Sequence, residues 1–121
     1  MGVIQNILVL LVAILHLFFC YLEMFLWKTS KGQKIFRIDA DFAEKSAVLA
    51  ANQGLYNAFL ASGLIWSVCA KNDEESLHLK FFFLGCVIIA GLYGAYSANK
   101  RIFFMQALPA IIALGAIFLT I

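Results

Sequence analysis

Charged residues are scarce in this chain, and their scarcity excludes most classes of soluble protein. They make up 13% of the 121 residues, whereas roughly 25% is typical of a soluble domain. Hydrophobic residues make up 64%, and a small domain has too little interior to bury so many apolar side chains. A single proline and the lack of low-complexity tracts exclude collagen-like and linker-like sequences. We therefore expect an integral membrane protein.

Cysteine and histidine are too few to indicate a disulfide framework or a metal centre. Cys20, Cys69 and Cys86 lie within or at the end of apolar runs, and no pair has the CxxC spacing of a thiol-redox site. A structural zinc ion needs four ligands, but His16 and His78 are the two imidazoles available. We expect free buried thiols, no metal and no cofactor.

Long apolar runs, in contrast, are abundant. A helix needs ~20 apolar residues to cross a bilayer, and no period-2 alternation indicates a membrane barrel. The predicted spans are residues 3–27, 46–70, 77–98 and 102–121. Trp27 and Lys28 follow the first run as interfacial anchors, so we expect that run to remain as a helix rather than to be cleaved as a signal. The fold prediction is an all-α integral membrane up-down four-helix bundle, a single domain over residues 1–121.

Basic residues predict the topology of the four spans. Five lie in residues 28–45 and two in residues 99–101. The loop between the second and third spans has Lys71, and Lys80 lies just inside the third span. Basic loops remain in the cytoplasm. We predict a cell-membrane protein with loops 28–45 and 99–101 cytoplasmic and both termini outside. Nucleic acid is not an expected partner, because the basic residues flank membrane spans.

Local signals refine the ends of the helices. Asp41 before Phe42, with Glu44 three residues after Asp41, predicts the N-cap of helix two. The segment 31–34 predicts a turn within the one substantial loop, and Pro109 predicts a kink in the last helix.

Small residues repeat at four-residue spacing in helices two and three. Such rows let helix backbones approach closely within lipid. We expect them to serve packing inside the bundle, and alternatively to form the seam of a homo-oligomer. The residues of the predicted seam are Ala50, Gly54, Ala58, Gly91 and Ala95.

Polar residues within the spans are the candidates for chemistry. His16 and Glu23 are seven residues apart and therefore share one face of helix one. Glu23 is expected either to reach the cytoplasmic interface and a loop lysine or to act as a buried acid that partners His16 or a ligand. Asn52, Gln53 and Asn57 form a dense cluster in helix two, in the half of the membrane nearer the first loop, where Glu23 also lies, and Gln106 enters from the same side. A carboxamide network that only ties helices together is the alternative. The candidate ligand-binding residues are His16, Glu23, Asn52, Gln53, Asn57 and Gln106.

Three stretches together resemble a known family. They are His16-Leu-Phe-Phe-Cys-Tyr-Leu-Glu23-Met-Phe-Leu-Trp27, Phe42-Ala-Glu44 and Leu49-Ala-Ala-Asn-Gln-Gly-Leu-Tyr-Asn57. The chain resembles, over essentially its whole length, the small membrane proteins of the domain of unknown function 1304 family. The resemblance implies a four-helix, bacterial-type membrane protein and no particular activity.

Three functions compete. A binding or transport protein is one, because an acid in helix one is also the layout of small multidrug resistance transporters. A structural or accessory membrane subunit is the second. A membrane enzyme similar to the eicosanoid and glutathione metabolism proteins is the third, although Leu49, Ala50 and Ala51 stand where an arginine would grip glutathione. We expect a non-enzymatic protein that binds or transports a small ligand or proton at the polar cluster.

Overall fold

The structure, a computed structural model, describes residues 2–121, and its regular elements in that range are all helical. The helices, in chain order, are α1 (Val3–Phe25), α2 (Ser30–Phe36), α3 (Ala40–Cys69), α4 (Asp73–Ser97) and α5 (Leu108–Thr120), with a π-helical segment (Phe103–Ala107) before α5. The all-α prediction is confirmed in this range.

Three helical stretches are long and apolar enough to cross a membrane, rather than four. They are Val3–Phe25, Asp73–Ser97 and Phe103–Thr120. The long helix α3 is absent from this set because carboxamide, hydroxyl and small side chains dilute its apolar residues. A membrane bundle of four helices therefore stays a prediction.

The first loop is more ordered than its sequence indicates. Residues 31–34, predicted as a turn, lie inside α2, whose N-cap Thr29 accepts a hydrogen bond from the Gly32 nitrogen at 3.1 Å. Arg37 ends this helix in the left-handed conformation, with φ of 56°. The indole of Trp27 packs on Phe36 with ring centroids 4.6 Å apart. The predicted turn is wrong because a short capped helix forms there.

The boundaries of the long helices also differ from the predicted spans. Asp39, not Asp41, caps α3, since its Oδ1 accepts a hydrogen bond from the Phe42 nitrogen at 2.8 Å. Asp41 lies in the first turn. Asn72 caps α4 through bonds from the Glu74 and Glu75 nitrogens, so α4 begins at Asp73, four residues before the predicted span.

Pro109 lies in the first turn of α5, directly after the π-helical segment. The Leu108 nitrogen donates to the Phe103 oxygen, five residues earlier. Proline has no N–H to continue the four-residue pattern, and a π-turn is a common cause of helix bending. The irregular hydrogen bonding therefore lies on the N-terminal side of the proline, and the kink in the last helix stays a prediction.

Backbone contacts divide the chain into two compact units, residues 15–59 and residues 2–14 with 60–121. The second unit has the apolar core, to which each of the four long helices contributes. The core residues are Val9, Val12 and Ala13 of α1, Ala61 and Leu64 of α3, Leu84 and Val87 of α4, and Ala110, Ala113 and Ile117 of α5. Outside the core, large apolar side chains are exposed along each long helix, as they are in Val48, Tyr96 and Leu119.

Candidate functional site

Two of the predicted site residues meet directly in the unit formed by residues 15–59. The Asn57 amide of α3 donates a hydrogen bond to Oε1 of Glu23 in α1, with 2.5 Å between nitrogen and oxygen. Both side chains are half-buried. A carboxylate in an apolar helix is costly without hydrogen bonds or a neutralising partner. We refer to these two residues as the Glu23–Asn57 pair.

A glycine brings the two helices close enough for this bond. A Cβ on Gly54 would lie 2.7 Å from Met24 Cγ and 3.2 Å from Glu23 Cβ. It would also lie 3.1 Å from the carbonyl oxygen of Cys20. Gly54 thus lets α3 pack closely against α1, so this member of the small-residue row serves packing within the chain. One turn further along α3, Asn57 reaches the carboxyl group because the backbones are close.

His16 is completely buried and packs edge-on against Phe19, with ring centroids 5.4 Å apart. The ring therefore lies inside the protein, as expected for a polar residue near the middle of an apolar helix. In this conformation the candidate residue His16 has no exposed surface through which to contact a ligand.

Asn52 and Gln53 do not join the Glu23–Asn57 pair. Both side chains are exposed, and within residues 2–121 neither has a side-chain hydrogen-bond partner. Asn52 lies about 140° around the helix from Asn57 and points elsewhere, whereas Gln53 is about 40° from Asn57 but about 6 Å nearer the start of the helix. Gln106 is half-buried in the π-helical segment and belongs to the other compact unit.

That other unit contains a buried charge that the sequence reasoning missed. Lys80 of α4 is completely buried. Its Nζ donates to Oδ1 of Asn6 at 2.7 Å and to Oε1 of Gln5 at 3.5 Å. The Gln5 amide donates in turn to the hydroxyl of Thr120 in α5. These four residues, which we call the lysine network, tie the start of α1 to α4 and α5.

The apolar run that begins at Leu77 makes Lys80 look like a residue that flanks the span. The Asn72 cap places the start of α4 earlier, so Lys80 lies about two turns inside the helix. The sequence nevertheless contains a sign of the lysine network. In an up-down bundle the starts of the first and third helices lie at one end, which places Gln5 and Asn6 at the level of Lys80.

The groove, the cysteines and the acidic side chains of the described residues do not form a further candidate site. An apolar groove of about 210 Å³ lies in the larger unit, and none of the candidate site residues lines it. Its lining residues are Leu8, Leu11, Val12, Leu108, Pro109 and Ile112. In the described part of the chain, no group of three or more His, Cys, Asp or Glu side chains could hold a metal ion. Cys20, Cys69 and Cys86 are free thiols.

Comparison with known sequences identifies the family. The profile of the family described as "Protein of unknown function (DUF1304)" matches residues 10–118. The chain belongs to the DUF1304 family. A relative, the "Uncharacterized protein YpaA" of Lactococcus lactis subsp. lactis (strain IL1403), is 33% identical over 116 residues, covering 94% of this chain and 96% of its own. No solved structure matches the chain. The predicted membership in DUF1304 is confirmed, and the matched region includes both His16 and the Glu23–Asn57 pair.

Proposed function

We propose that this DUF1304 protein is a multi-pass membrane protein that binds a proton or small cation at the Glu23–Asn57 pair. The observation that carries the proposal is the position of an acid inside an apolar helix, half-exposed and held by a single neutral donor. Asn57 occupies one carboxylate oxygen, whereas a carboxylate can accept about four hydrogen bonds. The remaining oxygen has the capacity to bind a proton or a cation, which would also offset the cost of placing the charge in lipid.

The membrane position supports the same proposal. Three helices have the length and apolarity to cross a bilayer, and α3 adds Ala61 and Leu64 to the core that α1, α4 and α5 share. Since α3 packs into that core, we place it in the membrane as a fourth span. With four spans, the basic loops 28–45 and 99–101 lie on the cytoplasmic side of the cell membrane, and both termini lie outside.

Terminal tags test this topology. Four spans place the two termini on the same side of the membrane, whereas three spans place them on opposite sides. We expect tags at both ends to be accessible from outside intact cells, with a tag inserted near Lys31 accessible only after permeabilisation. Termini on opposite sides would exclude α3 as a span.

Carbodiimide labelling tests the binding site. Dicyclohexylcarbodiimide modifies protonated carboxyl groups in apolar surroundings, and intact-protein mass spectrometry measures the product. In lipid vesicles we expect labelling of Glu23 that falls as pH rises and that tetraphenylphosphonium or sodium suppresses. Glu23→Gln should abolish it, whereas Glu44→Gln, which removes an exposed acid, should not.

A structural role is the second candidate, because the carboxylate and the Asn57 amide already satisfy each other in part. Glu23 would then serve as a tie between α1 and α3. Labelling that is absent at every pH, or insensitive to pH and to both cations, would favour this role and reject the binding proposal.

A further inference from the structure

The outer face of α3 has an unusual composition for a helix that contacts lipid. Asn52 and Gln53 are exposed in its middle, yet neither side chain has a hydrogen-bond partner within residues 2–121. An unsatisfied carboxamide in hydrocarbon is costly. If α3 crosses the membrane as proposed above, another polar surface must cover these two groups.

Six of the exposed residues of α3 follow a seven-residue repeat. Phe42, Leu49 and Tyr56 form one row at seven-residue spacing, and Lys45, Asn52 and Phe59 form a second row. Each of these six side chains is exposed, Leu49 by 70% and Tyr56 by 55%. Two interleaved rows of this kind are the contact surface of a coiled coil, in which the two rows of one helix face those of its partner. We call these six residues the α3 seam.

The opposite side of α3 is already occupied, so the α3 seam is distinct from the predicted small-residue rows. Gly54 packs against Met24 and Glu23 of α1, and Ala50 is buried. In the other unit, a Cβ on Gly91 would lie 2.6 Å from the backbone nitrogen of Ala107. These small residues serve contacts within one chain, whereas the α3 seam is exposed and open to a partner.

We infer that the α3 seam pairs with the α3 seam of a second copy of this chain. A carboxamide is both donor and acceptor, so two Asn52 side chains related by a two-fold axis can satisfy each other. Copies inserted in the same orientation present their α3 helices in parallel, which places Asn52 opposite Asn52 and Tyr56 opposite Tyr56. An asparagine at one such position also specifies the register of a helix pair. Gln53, at the edge of the seam, adds a second hydrogen-bonding group.

The charged end of the seam is compatible with this pairing. Lys45 would approach its counterpart in the second copy, but its Nζ lies 3.1 Å from Oδ2 of Asp41 on the same helix. The carboxylate offsets the like-charge repulsion between the copies. The apolar and aromatic residues Leu49, Tyr56 and Phe59 then supply the contact area.

Disulfide trapping in lipid vesicles tests the inference. In a chain whose native cysteines are replaced by alanine, single cysteines at Asn52 or Tyr56 should form covalent dimers on mild oxidation. Leu55→Cys is the matched control, because Leu55 is exposed but lies 100° around the helix from Tyr56. Equal trapping at positions 55 and 56, or none at 52 and 56, would overturn the inference.

Dimerisation of otherwise native chains, measured by fluorescence energy transfer at varied lipid dilution, gives the energetic test. Asn52→Leu should weaken pairing by about 3- to 30-fold, the range equivalent to interhelical carboxamide hydrogen bonds in membranes. Asn52→Gln should retain pairing because it keeps the donor and acceptor, and Leu55→Val should leave it unchanged. Unchanged pairing of Asn52→Leu would contradict the role of the carboxamide.

The inference rests on the proposed membrane position of α3, and the experiments separate the two. Termini on opposite sides of the membrane would reject that position and the α3 seam together. Termini on the same side without trapping at 52 and 56 would reject the pairing alone. Neither outcome depends on whether Glu23 binds a cation.

Discussion

Lys80 and Glu23 both lie inside apolar helices, but their surroundings differ. The ammonium group of Lys80 is completely buried and donates to two carboxamide oxygens, with a hydroxyl group behind them. The carboxylate of Glu23 is half-buried and receives one amide. A buried charge whose neighbours already surround it serves to hold helices together, whereas a half-exposed charge with spare acceptor capacity can still bind something. Because of this difference in burial and hydrogen bonding, we expect a structural role for Lys80 and propose a binding role for Glu23.

The largest expected effect tests the structural role of the lysine network. The double variant Gln5→Leu/Asn6→Leu leaves the Lys80 ammonium buried without its acceptors, and breaking a buried charge interaction from one side costs about 3–5 kcal/mol. We expect a loss of that order in the free energy of unfolding, measured by SDS titration of the protein in mixed micelles.

Adding Lys80→Met to that double variant is the control. It removes the buried charge that has lost its carboxamide acceptors and should recover most of the lost stability, because apolar replacements of a buried polar set are often neutral. A triple variant as unstable as the double variant would show that the carboxamides act without the lysine.

The second prediction compares close helix contacts in the two regions. Gly91→Ala places a methyl group 2.6 Å from the rigid backbone nitrogen of Ala107, whereas the atom nearest to a methyl group at Gly54 is Cγ of the Met24 side chain, at 2.7 Å. We expect Gly91→Ala to lower the free energy of unfolding by about 1–3 kcal/mol, as overpacking does, and Gly54→Ala to lower it less.

Gly85→Ala and Gly115→Ala are the matched controls, since no atom lies within 4 Å of a Cβ at either position. Both should be neutral or should gain up to about 1 kcal/mol from helix propensity. A loss at Gly85 or Gly115 equal to that at Gly91 would attribute the effect to glycine itself rather than to the close contact.

The third prediction concerns the Glu23–Asn57 pair. Asn57→Leu removes the amide donor, but the half-exposed carboxylate can still reach water or a cation. We therefore expect a loss of about 1 kcal/mol, the net value of one hydrogen bond, in the same SDS titration. A loss as large as that of the lysine-network double variant would make Glu23 a structural charge and remove the contrast between the regions.

The smallest effect is expected for an exposed ion pair of the first loop. Nζ of Lys28 lies 3.7 Å from Oε2 of Glu44, and both side chains are mostly exposed. Glu44→Gln should change the free energy of unfolding by less than about 1 kcal/mol, as exposed pairs do. Repeating the titration at high salt should reduce even this change, since salt screens exposed charges.

The apolar runs predict the long helices well, because the length and hydrophobicity of a span are properties of composition. The short helix α2 could not be predicted in the same way. Its seven residues include Gly32 and several polar side chains, and the Thr29 cap and the contact between Trp27 and Phe36 stabilise it. Tertiary contacts of this kind leave no periodic pattern in so short a segment.

Depth along a helix is easier to predict from sequence than direction around it. The sequence places Glu23 and Asn57 in the same half of the membrane, and they form a hydrogen bond. It places Asn52 and Gln53 in that half as well, yet their side chains are exposed. The direction depends on which side of α3 packs on α1, and that is set by the close contact at Gly54. Whether these residues bind a ligand stays a prediction.

The π-helical segment before Pro109 has a consequence for the geometry of the last helix. A π-turn holds one residue more than an α-helical turn, and each residue of a helix turns the chain by 100°. Ala107, the last residue of this segment, is the one that meets Gly91. The extra residue therefore rotates α5 about its own axis relative to the close contact between Ala107 and Gly91. This rotation determines which residues of α5 face the core.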